Sequence, residues 1–105
     1  MAAPRAPRRP ARRTSAARDW KYRAWIRTLP SCVSGRPGCE AAHTGDDGGM
    51  RTKASDYTCV PLTWEEHREY HRLGRKAFEA KYEIDCQAIV KRLNGIWFRY
   101  AREVK

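Results

Sequence analysis

The chain holds three histidines, and their positions define the chemistry open to it. His67 and His71 lie four apart in the run Thr63-Trp64-Glu65-Glu66-His67-Arg68-Glu69-Tyr70-His71. On a helix that spacing sets both side chains on one face about a turn apart, so two imidazole nitrogens can meet one divalent cation. His43 stands immediately before a glycine-rich stretch, where a ring can act as a base on water. A base and a Lewis acid are the two elements that phosphodiester hydrolysis needs. A His-x-x-x-His pair also arises by chance on solvated helix faces. What favours a site is the order of the three residues on strand, loop, strand and capped helix.

Those elements can be read around the histidines. Thr63-Trp64-Glu65-Glu66 is a capping box: the Thr63 hydroxyl can accept from the Glu66 N–H while the Glu66 carboxylate reaches back to Thr63. The helix that follows runs to about Leu73 and stops at Gly74. Two short strands are expected before it, Cys39–His43 and Tyr57–Pro61, joined through Thr44-Gly45-Asp46-Asp47-Gly48-Gly49. Folded against the helix, they would bring His43 over the face that carries His67 and His71.

Upstream, Asp19 can cap a helix with Tyr22, Trp25, Ile26 and Leu29 on one side, ended by Pro30. Downstream, a helix around Lys76–Tyr82 pairs Phe78 with Tyr82. A last helix from Asp85 to about Glu103 carries a stripe of Cys86, Ile89, Leu93, Ile96, Trp97 and Tyr100, expected to be core. The fold class is therefore α+β.

Size and charge bound the function. At 105 residues the chain has room for one core and a small, surface-exposed site, which excludes a large multi-substrate enzyme. Mean hydropathy is −0.85 and no apolar run approaches a membrane span, so a soluble, cytoplasmic protein is expected. The net charge of +10 is uneven. Residues 1–27 hold nine basic side chains and one acidic, whereas the rest is near balance at +2. Pro4, Pro7 and Pro10 among Arg5, Arg8, Arg9, Arg12 and Arg13 make residues 1–18 a disordered basic tail, with residues 19–105 as the domain. Such a tail supplies phosphate contacts or merely solubility.

The four cysteines leave alternatives open. Cys32, Cys39 and Cys59 can meet at the root of the strands as ligands of a structural zinc, or Cys32 and Cys39 can form a disulfide. The absence of an export signal favours reduced thiols. Cys86 reads as core.

Cys32-x6-Cys39, Glu40-Ala41-Ala42-His43-Thr44-Gly45, Gly48-Gly49-Met50-Arg51-Thr52-Lys53-Ala54-Ser55-Asp56-Tyr57, Pro61-Leu62-Thr63 and His67-x3-His71 together resemble a phage and prophage group of HNH endonucleases. The group includes recombination-enhancement nucleases that cooperate with RecA-type filaments. The resemblance covers about residues 20–85. It implies a small ββα-metal (HNH, His-Me finger) core with flanking helices, DNA as substrate and one divalent ion, Mg²⁺ or Mn²⁺ or else Zn²⁺. It implies His43 as general base, His67 and His71 as metal ligands, Asp56 as a residue that orients His43 or completes the site, and Lys53 as a phosphate contact. The chain departs from the group at Thr63, Glu66 and Ala42, where zinc or metal ligands stand in many members. The expected function is a metal-dependent DNA endonuclease or nickase acting in recombination or DNA processing. Arg51, Lys53 and the tail residues Arg8, Arg9, Arg12 and Arg13 would hold DNA phosphates with little sequence preference. The alternatives are a catalytically inactive nucleic-acid-binding module of the same fold and a small phage-type protein adaptor.

Overall fold

A computed structural model describes residues 17–45 and 54–101. Helix α1, Trp20–Arg27, begins where the Asp19 carboxylate accepts from the Tyr22 N–H at 3.0 Å. Its buried residues are Tyr22 and Ile26, one turn apart. Strands β1, Cys39–His43, and β2, Cys59–Thr63, form an antiparallel ribbon that pairs Cys39 with Thr63 and His43 with Cys59. The pairing continues past β1, because both the N–H and the hydroxyl of Thr44 donate to the Thr58 carbonyl. Gly45 follows at a point where a Cβ would lie 2.7 Å from Thr58 Cγ2, so the chain passes there only without a side chain.

Alternation along the ribbon divides the interior in two. Cys59, with Ala41 packed against it, faces Tyr22 and Ile26 of α1 and Leu93 of helix α4, Cys86–Ile96, followed by Trp97. Ala42, Val60 and Leu62 face Tyr70 of helix α2, Trp64–Leu73, and Phe78 of helix α3, Arg75–Tyr82. With both faces covered, every residue of β2 is buried, which explains its unbroken apolar reading of Cys59-Val60-Pro61-Leu62. The chain is thus a mixed α+β fold in which a two-stranded ribbon separates α1 from α2 and α3, while α4 packs on both clusters through Ile89 and Val90.

Three expected boundaries move. β2 starts at Cys59 rather than Tyr57 because Ser55 caps a 3₁₀ turn over Asp56–Thr58, accepting from the Tyr57 N–H at 3.1 Å. α4 passes at Trp97 into a π turn, Trp97–Ala101. That wider turn carries Tyr100 off the apolar stripe, and it is 60% exposed instead of core. Ala17 and Arg18, assigned to the tail by composition, are tied to the fold: the Ala17 carbonyl accepts from the Asp56 N–H and Arg18 donates to the Ala54 carbonyl. Among the described residues no helix is long and apolar enough to cross a membrane.

Candidate active site

Asp56 is only 2% exposed, yet four donors converge on its carboxylate. Oδ1 is 2.8 Å from His43 Nε2 and 3.2 Å from Arg18 Nη1. Oδ2 accepts from Arg23 Nε at 3.0 Å and from the Asp19 N–H at 2.7 Å. Burial alone would raise its pKa. The His43 ring, the Asp19 N–H and the Arg23 guanidinium outweigh that cost and hold the carboxyl below its ordinary value. An ionised carboxylate only accepts hydrogen bonds, so Nε2 of His43 must be the protonated nitrogen. The lone pair of neutral His43 is then on Nδ1, which has no protein donor among the described residues. The His43 side chain is 32% exposed.

The second pair lies on α2. His67 Nδ1 is 2.7 Å from Glu40 Oε1, and its Nε2 faces His71 Nε2 at 3.2 Å. Glu40 accepts, so His67 carries its hydrogen on Nδ1 and turns the Nε2 lone pair toward His71. Two nitrogens about 2.1 Å from a shared ion and 3.2 Å apart subtend about 100°, between octahedral and tetrahedral angles. The separation of the two nitrogens is therefore compatible with one shared divalent cation. Glu40 fixes the His67 ring in the way an outer carboxylate orients a ligating imidazole. No group of three or more candidate ligands forms among the described residues, so water would complete the coordination.

The structure unites His43 with Asp56 and His67 with His71, but on different sides of the ribbon. Glu40 and Ala42 share the face toward α2; His43, an odd number of residues on, turns to the α1 side. The expectation that His43 lies over the same helical face as the pair is corrected by this parity. Ala42, which faces α2, offers no ligand in its place.

The expected cysteine site does not form either. Cys39 and Cys59 occupy opposite ends of the ribbon, four residues or ~14 Å apart along it, whereas two sulfurs on one zinc can be at most ~4.6 Å apart. All four thiols are free, and burial pushes Cys32 up to about 11 and Cys59 up to about 12. Cys86 is core, as expected.

A carboxylate stands where that zinc was sought. Glu66, 8% exposed, accepts from the Ser31 and Ser34 hydroxyls at 2.6 Å each and from the Thr63 N–H at 2.8 Å. The Thr63 hydroxyl accepts from the Glu66 N–H at 3.2 Å, which completes the expected capping box. Although burial works against it, these donors hold the Glu66 carboxyl below its ordinary value. The node clips the Ser31–Gly38 loop to the start of α2.

Arg51 and Lys53 of the loop, and Arg8, Arg9, Arg12 and Arg13 of the tail, lie outside the described residues. Glu40, Arg18, Arg23, Ser31 and Ser34 were not singled out by sequence. Glu40 alone had a signal, since strand alternation sets it on the face of Ala42.

No solved structure matches the chain. A stretch of 73 residues is 36% identical to the uncharacterized protein YdfU of Escherichia coli (strain K12), covering 68% of this chain and 21% of that protein. The chain thus spans about a fifth of the length of that curated relative. A family model described as a protein of unknown function (DUF968) matches residues 5–96, nearly the whole chain. On that match, the chain belongs to the DUF968 family.

Proposed function

We propose that the protein is a metal-dependent DNA endonuclease or nickase built on a ββα-metal core formed by β1, β2 and α2. The observation that carries this reading is the facing pair of Nε2 atoms on His67 and His71, held 3.2 Å apart with His67 fixed by Glu40. In this reading His43 takes the proton of the attacking water at Nδ1. Asp56 holds the ring in that tautomer and stabilises the imidazolium that results. Arg18 and Arg23 keep Asp56 ionised and fixed, so they position the base without touching the substrate. Because His67 and His71 lie on the other side of the ribbon from His43, a divalent ion there would not share a phosphate with that base; it would hold a neighbouring backbone phosphate of the bound strand. The basic tail would add affinity through phosphates, and a RecA-type filament is a proposed partner on the resemblance alone.

A nicking assay on supercoiled plasmid with Mg²⁺ or Mn²⁺ tests the proposal. Wild type should convert plasmid to open circle, and EDTA or His43→Ala should abolish the conversion. Cleavage unchanged in His43→Ala would refute the assigned base. Ala42, which offers no ligand at its own position on β1, favours a second reading, a module that binds nucleic acid without cutting it. DNA binding with no cleavage in either metal would select that reading.

A further inference from the structure

The inward side of α2 carries Glu66, Tyr70 and Leu73, spaced as one helical face. Trp64, Arg68 and His71 fall on the opposite side at i, i+4 and i+7, with His67 at its edge. Trp64 is 54% exposed, an unusual position for an indole in so small a domain. The Arg68 guanidinium lies over the Trp64 ring, 4.7 Å from its centroid. Arg68 makes no salt bridge among the described residues, so its charge is not neutralised by a carboxylate there.

With the guanidinium over one face, the exposed remainder of the ring and the adjoining cation together match what a nucleotide requires. The ring offers a stacking surface to any base, and the guanidinium answers the adjoining phosphate. A duplex keeps its bases stacked inside and cannot use the ring; an unpaired nucleotide can. We propose that Trp64 and Arg68 form a binding platform for an unpaired nucleotide beside the His67–His71 pair, making single-stranded or frayed DNA the preferred substrate. The substrate class rests on the nuclease reading, but the platform can be tested without cleavage.

The test measures fluorescence anisotropy of the full chain with labelled oligo(dT) and with a duplex of equal length, both in EDTA. Trp64→Ala should weaken oligo(dT) binding about tenfold and duplex binding less than about twofold. Trp64→Phe, which keeps a stacking ring, should recover most of the loss. Arg68→Ala should flatten the salt dependence on the single strand by ~0.7 in log–log slope, and Arg68→Lys should restore it. Unchanged melting temperatures would separate these effects from misfolding. Equal loss on both DNAs, or no loss on oligo(dT), would overturn the platform. Tighter binding of oligo(rU) than oligo(dT) would overturn its assignment to DNA. If plasmid nicking fails while the Trp64 effect persists, the nuclease reading falls and the platform stands. If nicking succeeds and Trp64 is silent, the platform falls alone.

Discussion

Replacing Glu66 isolates the interaction that joins the loop to the helix. Glu66→Ala removes the acceptor for three hydrogen bonds, those from the Ser31 hydroxyl, the Ser34 hydroxyl and the Thr63 N–H. Hydrogen bonds to a charged acceptor contribute about 1.5–3 kcal/mol each, and Ser34 is exposed enough for water to compensate it. Ser31 and Thr63 are buried and keep unsatisfied donors. The expected cost is about 3–4 kcal/mol, a large share of the roughly 5–15 kcal/mol stability of a domain. Glu66→Gln preserves the shape and one acceptor oxygen, and should cost about 1–2 kcal/mol. Urea unfolding followed by far-UV circular dichroism reads both. At an m-value of about 1.5 kcal/mol/M the midpoint should fall by about 2 M for Ala and about 1 M for Gln. EDTA should leave the cost of Glu66→Ala unchanged, because the node is closed by hydrogen bonds. A cost below about 1 kcal/mol for Glu66→Ala, or a cost that shrinks when metal is chelated, would refute the reasoning.

Glu66 and Asp56 both have lowered folded-state pKa values, so their stabilisation is fully present above the ordinary carboxylate range and lost as pH falls through the folded values. Wild-type stability should therefore fall on acidification below about pH 4.5, and Glu66→Ala should show a shallower fall over the same window in urea titrations at each pH. Asp56→Asn removes the charge that fixes the His43 tautomer and should slow plasmid nicking about 100-fold or more; a rate above roughly a third of wild type would separate Asp56 from the base. His67→Ala and His71→Ala should each weaken Mn²⁺ or Zn²⁺ binding by about tenfold or more in calorimetry, and Glu40→Gln should weaken it less, as expected of an outer carboxylate. Deleting residues 1–16 spares Arg18 and should weaken duplex binding while lowering the salt slope by ~0.9 for each phosphate the tail neutralises.

Much of the scaffold was legible because its signals are local. The capping box at Thr63 and Glu66, the Asp19 cap, the helix start at Asp85 and the stop at Gly74 each depend on residues within a few positions; α1 ends at Arg27, before the expected stop at Pro30. The first strand was legible to the residue, Cys39–His43. The second slipped by two because Ser55 bonds its own neighbours, a competition between turn and strand that composition does not resolve. The His67–His71 pair was legible as well, since helix periodicity guarantees a shared face.

The sequence by itself determined which residue types can do chemistry, the helix that carries two of them and the tail that holds most of the charge. Only the tertiary structure decided their partners. Asp56 meets Arg18 and Arg23 across more than thirty residues, and Ser31 and Ser34 meet Glu66 across a similar span. It also decided that His43 turns toward α1 while Glu40 turns to His67, and that Cys39 and Cys59 lie at opposite ends of the ribbon. The physical reason is register. A pattern of types fixes which face a strand residue takes only once its pairing and both covering layers are known, because a slip of one residue exchanges the faces.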